Sequence, residues 1–157
     1  MTSRPSWDQI WMHVADTISA RSRCSRAQIG AVVVSKDQRI SSTGYNGPAA
    51  TFPESGDCIE WCLRAQGVTP LDNMYETCPS IHAEANALLY VDRSRMEGGT
   101  IYITDASCMQ CAKLVSNSGV SRVVMRIQSK AAHRQPDTVI DYYKKCNIDV
   151  TIYEDSK

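Results

Sequence analysis

Residues 100–127 read TIYITDASCMQCAKLVSNSGVSRVVMRI, and this stretch decides the fold. It begins with the alternating, β-branched run TIYIT at residues 100–104, which predicts a strand. A helical pattern follows at residues 109–118 and ends at Gly119, and RVVMRI at residues 122–127 predicts a second strand. Strand, helix and strand in this order indicate a parallel crossover, which belongs to a sheet covered by helices.

The same alternation extends in both directions from this unit. Downstream, the pattern predicts a helix at residues 137–146 and a strand at residues 149–153. Upstream, helix-forming residues 82–92 precede it, and residues 29–45 predict a hairpin of two strands around a Lys-Asp-Gln turn. A first helix is predicted over residues 7–22, with Ser6 and Gln9 as a capping box. We therefore expect an α/β fold whose sheet is covered on both faces.

The bulk composition indicates a single domain with no long polymer as its ligand. The chain has 157 residues, 43% of them hydrophobic, so we expect one hydrophobic core and one domain over residues 1–157. The 17 basic and 17 acidic residues balance, which argues against binding of long nucleic acid. No apolar run is long enough for a membrane and no secretion signal is evident, so we expect a cytoplasmic protein.

Residues 47–80 interrupt the regular pattern. This segment holds four of the six prolines and three of the seven cysteines, and only a short helical turn is predicted in it, within residues 57–66. A loop of this length is usually functional or stapled. Seven cysteines suit either a secreted disulfide scaffold or a cytosolic protein that binds metal. The odd count and the missing secretion signal favour metal.

Two short motifs carry the chemistry: HAE at residues 82–84 and CMQC at residues 108–111, each at the start of a predicted helix. Alone, a Cys-x-x-Cys pair also fits a redox pair or half of a structural zinc site. Together and in this order, the motifs are typical of zinc deaminases that act on nucleobases. We therefore predict that His82, Cys108 and Cys111 bind a catalytic zinc, since three protein ligands leave a fourth position for water.

Glu84 is predicted to be the proton shuttle and not a zinc ligand. Zinc lowers the pKa of bound water from about 16 to about 7, so a zinc-bound hydroxide can attack C4 of a cytosine ring. The exocyclic amine leaves only when it is protonated, and a carboxylate must carry that proton. Glu84 lies two residues from His82, close to the metal and free to do this.

Further motifs accompany this pair: RSRCSR at residues 21–26, IGAVVV at 29–34, GYNG at 44–47, IHAEANA at 81–87, IYIT at 101–104 and CMQCAK at 108–113. With them the chain resembles the deoxycytidylate (dCMP) deaminase family within the cytidine deaminase superfamily, over about residues 6–127. The GYNG stretch and the asparagine two residues after Glu84 set this branch apart from the superfamily at large.

The resemblance implies a cytidine-deaminase-like three-layer α/β/α sandwich with a five-stranded mixed sheet. It implies hydrolysis of dCMP to dUMP and ammonia by a homo-oligomer, usually a hexamer. It also implies that Asn46 contacts the sugar and that the backbone of Ala83 contacts the pyrimidine edge. The nucleotide phosphate needs a cation or an oriented donor, and the candidates are Arg26, Ser22 and Arg93, in that order.

The chain departs from the family pattern at two places. Most members have proline immediately before the first cysteine of the Cys-x-x-Cys pair, whereas this chain has Ser107, which removes no ligand. The family usually reads Gly-Tyr-Asn-Gly-x-Pro-x-Gly in a region that helps to bind nucleotide effectors, whereas this chain has GPAAT at residues 47–51. The resemblance therefore does not extend to regulation by dCTP and dTTP.

The remaining cysteines suggest a second, structural zinc. Family members with cysteines at these places use some of them for such a site, and the candidates are Cys24, Cys58, Cys62 and Cys78. A four-thiolate zinc is closed and stabilises the fold. The alternative is that some of these thiols are small buried hydrophobes. Cys146 is expected to be such a core thiol.

Two alternatives to an enzyme that deaminates dCMP stay open. One is another cytosine substrate, namely a 5-substituted dCMP, dCTP or a nucleoside. The other is a zinc-stabilised binding protein without catalysis, against which the intact Glu84 argues. Deamination of single-stranded nucleic acid has little support in the balanced charge, although Trp61 or Tyr75 could stack a base.

Overall fold

A computed structural model describes residues 4–53, 56–68, 75, 77–128 and 133–155. The irregular segment at residues 47–80 therefore lies partly outside the described residues, and so do both ends of the chain. In the described part of that segment, the expected helical turn is a short 3-10 helix, Cys58–Glu60.

Every predicted strand and helix is found in the described residues, close to its expected bounds. The strands are β1 (Gly30–Val34), β2 (Ile40–Tyr45), β3 (Thr100–Ile103), β4 (Arg122–Met125) and β5 (Asp149–Ile152). The helices are α1 (Trp7–Ser19), α2 (Ala83–Leu89), α3 (Arg93–Met96), α4 (Met109–Ser116) and α5 (Pro136–Lys145). None of the helices in these ranges has the length and apolar character that crossing a bilayer would need.

The strands form one mixed sheet in the order β2-β1-β3-β4-β5. β1 and β2 form the predicted hairpin, and β1 also pairs antiparallel with β3. β3, β4 and β5 are parallel, which confirms the crossovers predicted from the alternation of strands and helices. The sheet thus joins an antiparallel half to a parallel half along β3.

Alternate side chains of the strands point into two separate cores. Val32, Tyr102 and Val124 pack against α1 on one face of the sheet. Their chain neighbours, such as Ile101 and Val123, face the other side and pack against residues of α2, α4 and α5. Helices therefore cover both faces, and the molecule has the expected three-layer α/β/α architecture.

Helix α1 begins at the predicted capping box. The Ser6 hydroxyl accepts a hydrogen bond from the backbone N–H of Gln9 at 3.2 Å, and the Gln9 side chain accepts one from the backbone N–H of Ser6 at 2.8 Å. Farther along, Asp8 accepts two hydrogen bonds from the Arg122 guanidinium, at 2.9 and 2.7 Å, and one from the Tyr102 hydroxyl at 2.8 Å. These contacts attach the start of α1 to the middle of the sheet.

The helix predicted over residues 82–92 is shorter than expected. α2 ends at Leu89, and Asp92 adopts an extended conformation with φ −71° and ψ 141° before α3 begins at Arg93. An extended residue cannot continue the α-helical hydrogen bonds, so α3 is a separate, four-residue helix that follows the predicted segment.

Two glycines let helices lie directly on the hairpin. A Cβ atom added at Gly30 would come within 2.0 Å of the backbone oxygen of Ala15 in α1. A Cβ atom added at Gly44 would lie 2.3 Å from the backbone oxygen of Ala83 and 2.4 Å from the backbone nitrogen of Ala87, both in α2. Gly44 therefore sets how closely α2, which starts immediately after His82, approaches the sheet.

We expect the Gly44→Ala variant to be less stable than the wild type by about 3 kcal/mol, because the added methyl group meets helix backbone that cannot rotate away. Chemical denaturation followed by circular dichroism measures the difference. Gly47→Ala is the matched control, because its Cβ would meet only the Tyr45 ring at an ordinary 3.5 Å. Equal stability of the two variants would contradict this role of Gly44.

Candidate metal centre and active site

The predicted site residues meet at one edge of the sheet. β3 and β4 are parallel, so the segments after Ile103 and Met125 leave the sheet at the same edge. β1 runs antiparallel to both neighbours, so its beginning and the end of β2, followed by Asn46, lie at that edge too. A cavity of about 440 Å³ opens there, which is in the size range of small-molecule sites.

His82, Cys108 and Cys111 bring three metal-binding atoms together at this cavity. His82 is the N-cap of α2 and Cys108 is the N-cap of α4, so both side chains project from the starts of helices. His82 Nδ1 lies 3.5 Å from Cys108 Sγ and 3.3 Å from Cys111 Sγ. The three donor atoms lie within 4.8 Å of one another.

This geometry fits zinc. Zinc bonds of about 2.3 Å to sulfur and about 2.05 Å to nitrogen, at tetrahedral angles, place the sulfur and nitrogen atoms about 3.5 Å apart. The two observed nitrogen–sulfur distances, 3.5 and 3.3 Å, match this value. Cys108 and Cys111 are buried, with 3% of the surface of each exposed, as expected for metal ligands shielded from solvent.

The two thiols differ in how readily they lose a proton. A hydrogen bond from the Cys111 thiol, with a further one from His82, lowers the pKa of Cys108 to about 4 despite its burial. The same hydrogen bond to Cys108, together with burial, raises the pKa of Cys111. Because metals bind the thiolate form, Cys108 is already prepared as a ligand at neutral pH.

Glu84 is buried beside the three donor atoms but is not one of them. Only 4% of its surface is exposed, and it lines the cavity with His82 and Ala83. Its carboxylate does not belong to the group of donor atoms within 4.8 Å of one another. A hydrogen bond with Glu84 adds to the raised pKa of Cys111, which places the carboxylate next to the metal site.

Asn46 lines the cavity and also holds its wall together. Its side-chain oxygen accepts a hydrogen bond from the backbone N–H of Ile29 at 2.7 Å, and its amide nitrogen donates to the backbone oxygen of Ala27 at 2.8 Å. Ser22 does not line the cavity; its hydroxyl donates to the backbone oxygen of Asn46 at 2.7 Å. Ser22 thus supports Asn46 from behind.

The other predicted substrate contacts lie at different distances from the cavity. Arg26 is exposed and lines the cavity, as does the buried Ala83 at the start of α2. Arg93, in α3, lies away from the cavity lining and donates a hydrogen bond to the backbone oxygen of Asn117 at 3.2 Å. The structure therefore brings Arg26, Asn46 and Ala83 together around Glu84.

Sequence reasoning missed Arg134. This residue precedes α5 by two positions and lies in the cavity wall. Its guanidinium donates to the Asp105 carboxylate at 2.7 Å and to the backbone oxygen of Ala106 at 2.8 Å. The ion pair is largely buried, with 13% of the Arg134 side chain and 4% of the Asp105 side chain exposed. The available signal was topological: residues that follow parallel strands β3 and β4 meet at one sheet edge.

Tyr75 makes an edge-on aromatic contact with His82, a predicted zinc ligand. The two ring centroids are 4.6 Å apart and the planes are nearly perpendicular, at 85°. The Tyr75 hydroxyl lies 2.7 Å from His133 Nε2 and accepts a hydrogen bond from Arg134 at 3.2 Å. The Arg64 guanidinium lies over the Tyr75 ring, 4.5 Å from its centroid. The sequence suggests Tyr75 only as a residue for stacking a base.

The four cysteines predicted for a second zinc lie close together beside the main cavity. All of them line the same small pocket of about 10 Å³, next to Trp61. Burial raises the pKa of Cys24 and raises the pKa of Cys78 to about 11, and the neighbouring thiols Cys58 and Cys62 add to these shifts. In the described ranges, only the group at His82 has three donor atoms within 4.8 Å.

The expectation that Cys146 is a core thiol is wrong. Cys146 is exposed, and it is the C-cap residue of α5. The buried face of that helix is formed by Val139 and Tyr143, and the last helical residue is Lys145. Cys146 therefore lies just beyond the end of this packed face.

Comparison with known proteins identifies relatives over about three quarters of the chain. The family model that describes the cytidine and deoxycytidylate deaminase zinc-binding region matches residues 5–127. The deoxycytidylate deaminase of Mycobacterium phage D29 is 42% identical over 126 residues, which cover 78% of this chain and 95% of that protein. The deoxycytidylate deaminase of Schizosaccharomyces pombe is 34% identical over 123 residues, 77% of this chain but only 37% of the yeast protein.

Solved structures show the same fold. The dCMP deaminase of cyanophage S-TIM5, in complex with dCMP and dUMP, superposes with a TM-score of 0.73 at 24% sequence identity. The match covers 96% of this chain and 99% of the phage protein. The family match over residues 5–127 contains all three zinc-binding candidates and Glu84. The chain therefore belongs to the cytidine and deoxycytidylate deaminase family.

Proposed function

We propose that the protein hydrolyses dCMP to dUMP and ammonia with the help of a zinc ion bound by His82, Cys108 and Cys111. The observation that carries this proposal is the group of three donor atoms within 4.8 Å of one another, with the buried Glu84 beside it, at the wall of a cavity. The proposal is supported by the relatives named deoxycytidylate deaminase, of which the phage D29 protein is similar over 95% of its length.

Glu84 moves the protons of the reaction. Zinc supplies a reactive water at neutral pH, because it lowers the pKa of a bound water to about 7. With zinc held by His82, Cys108 and Cys111, Glu84 would accept one proton from the attacking water and deliver it to N3 of the pyrimidine while the water oxygen bonds to C4. Glu84 would then transfer the second proton of the water to the amino group, so that the C4–N bond breaks and ammonia leaves.

The buried position of Glu84 suits this role. With 4% of its surface exposed, the carboxylate reaches the cavity but exchanges little with bulk water. A proton that it holds therefore passes to the bound ring and not to solvent. The backbone of Ala83, the next residue toward the zinc ligand, contacts the pyrimidine edge and keeps C4 turned toward the metal.

Arg26 binds the phosphate and Asn46 contacts the sugar. Arg26 lines the cavity and is exposed, so its guanidinium can meet an anionic group at the cavity mouth. Arg134 also lines the cavity, but its charge is already paired with Asp105. Ser22 contributes by holding the backbone of Asn46. Arg93 lies away from the cavity lining, so it has no part in this proposal.

A second, structural zinc bound by Cys24, Cys58, Cys62 and Cys78 belongs to the same proposal. Support comes from the small pocket that all four residues line and from the closeness of Cys58 to Cys24 and of Cys62 to Cys78, which raises the pKa of Cys24 and of Cys78. A zinc with four thiolate ligands has no open position and therefore stabilises the fold without taking part in the reaction. Cys78 lies four residues before His82, so the second zinc would fix the segment that leads into α2.

We further propose a single domain that works in the cytoplasm as a homo-oligomer, a hexamer if the family resemblance extends so far. None of the seven cysteines forms a disulfide, which suits a reducing compartment. The ligand is a small nucleotide, and the balanced charge of 17 basic and 17 acidic residues supports no long nucleic acid as partner.

We expect the Glu84→Gln variant to lose dCMP deamination by at least about 100-fold, because the amide cannot accept and return a proton. Loss of the amino group is followed spectroscopically with dCMP, 5-substituted dCMP, dCTP and deoxycytidine, and zinc content is measured in parallel. Glu97→Gln, an exposed residue away from the cavity, is the matched control. A Glu84→Gln protein that keeps its zinc and its full activity contradicts the assignment.

For Arg26→Ala we expect the KM for dCMP to rise about tenfold, equivalent to about 1.4 kcal/mol, while deoxycytidine is almost unaffected. The reason is that only dCMP carries the phosphate that the guanidinium meets. Arg21→Ala serves as the control, because Arg21 is also exposed but does not line the cavity. If both substrates suffer equally, Arg26 is structural and the phosphate lies elsewhere.

Metal analysis of the purified protein should find two zinc ions per chain. The Cys58→Ala variant should retain one and should unfold at a lower temperature, because the structural zinc contributes free energy of folding. Cys146→Ala should retain both, since that thiol is exposed at the end of α5. A wild-type protein with full activity and a single zinc would rule out the second site.

A further inference from the structure

Ser107, which immediately precedes the proposed zinc ligand Cys108, forms a buried hydrogen bond to α5. The hydroxyl of Tyr143 donates to Ser107 Oγ at 3.1 Å. Both residues are completely buried, with 0% of their surface exposed. A hydroxyl that cannot reach water needs a partner inside the protein, so the bond satisfies groups that would otherwise destabilise the fold.

The rest of this turn is also attached to its surroundings. The backbone N–H of Ala106 donates to the Asp105 carboxylate at 2.8 Å, and the backbone oxygen of Ala106 accepts a hydrogen bond from Arg134 at 2.8 Å. Cys108 itself is extended, with φ −84° and ψ 165°. The backbone N–H of Cys111 donates to Cys108 Sγ at 3.5 Å. This bond caps α4 through the thiol and does not reach the preceding residue, Ser107.

With serine at position 107, the turn before Cys108 needs a restraint other than proline. The proline that the family pattern has at this position fixes its own φ and so stiffens the turn before the first cysteine. Serine leaves that rotation free. The hydrogen bond from Tyr143 restrains the same residue through its side chain and connects it to α5, a ten-residue helix packed in the core.

We propose that Tyr143 is a positioning residue of the metal centre, which holds Ser107 and thereby the turn that presents Cys108 to zinc. The inference rests on the proposed function, because it requires Cys108 to be a zinc ligand. Within the described part of α5, no residue lines the cavity, so Tyr143 acts from behind the ligand and does not touch the substrate. Outer contacts of this kind change metal affinity by about 10- to 100-fold.

The test is the rate at which zinc passes from the protein to the chelating dye pyridylazoresorcinol. The kinetic phase that is absent from the Cys108→Ala variant belongs to the catalytic zinc. We expect Tyr143→Phe to accelerate this phase about tenfold, because the ring stays in place and only the hydroxyl is lost. Tyr142→Phe, its neighbour on the same helix, should release zinc at the wild-type rate.

Variants of Ser107 separate positioning from a general loss of stability. Ser107→Ala should release zinc as fast as Tyr143→Phe, and the double variant no faster than either, because both changes remove the same hydrogen bond. Ser107→Pro combined with Tyr143→Phe should return to slow release, because proline restrains the turn without the hydrogen bond. A purely structural role of Tyr143 predicts no such recovery.

Wild-type release rates for both Tyr143→Phe and Ser107→Ala would overturn the inference, and so would a failure of proline to restore slow release. If Cys108→Ala keeps the full zinc content and every release phase, the proposed zinc site itself fails. If Tyr143→Phe does not fold, the comparison of Ser107→Ala with Ser107→Pro decides, with fast release expected for alanine and slower release for proline.

Discussion

The structure depends on the convergence of one imidazole nitrogen and two thiol sulfurs within 4.8 Å. His82 and Cys108 are separated by 25 intervening residues along the chain, yet Nδ1 and Sγ must approach to about 3.5 Å if they are to share a zinc ion. This requires α2 and α4 to start at the same edge of the sheet. Their common packing against the core on one face of the sheet satisfies that requirement.

The sheet topology supplies the rest of the site once this edge is defined. Antiparallel β1 and β2 bring Ile29 and Asn46 to it, and parallel β3 and β4 bring Asp105 and Gln128 to it. The cavity wall is therefore built from segments that are distant in sequence. Hydrogen bonds from side chains to backbone, such as those of Asn46, hold these irregular segments where no regular strand or helix does.

Polar side chains behind the predicted zinc ligands hold the turn that carries one of them. Arg134 donates a hydrogen bond to the backbone of Ala106, and Tyr143 donates one to the side chain of Ser107. The turn that enters α4 is therefore held from two sides. Both contacts are buried, where an unpaired group costs more than at the surface. In the arrangement proposed above, side-chain contacts hold the turn before Cys108 in a chain with serine at position 107, whereas the family pattern has proline there.

Local patterns in the sequence were enough to predict the elements, because helix and strand periodicity, capping and turns act over a few residues. The capping box of Ser6 and Gln9 and the Cys-x-x-Cys spacing at the start of α4 are both of this kind. Two local predictions were incomplete or wrong: the helix predicted over residues 82–92 ends at Leu89, before the extended Asp92, and Cys146 is exposed.

Local sequence was enough to predict the three candidate metal-binding residues and the nearby carboxylate, because their spacing and order are typical of one chemistry. Which charged residues reach the cavity depends on how the chain packs. Arg26, Ser22 and Arg93 are all candidate cations or donors in the sequence, but of these only Arg26 lines the cavity. Arg134 and Tyr75 had no local signal, since their neighbours in space are 29 and 7 residues away, at Asp105 and His82. Contacts across such distances arise only when the chain packs around the sheet.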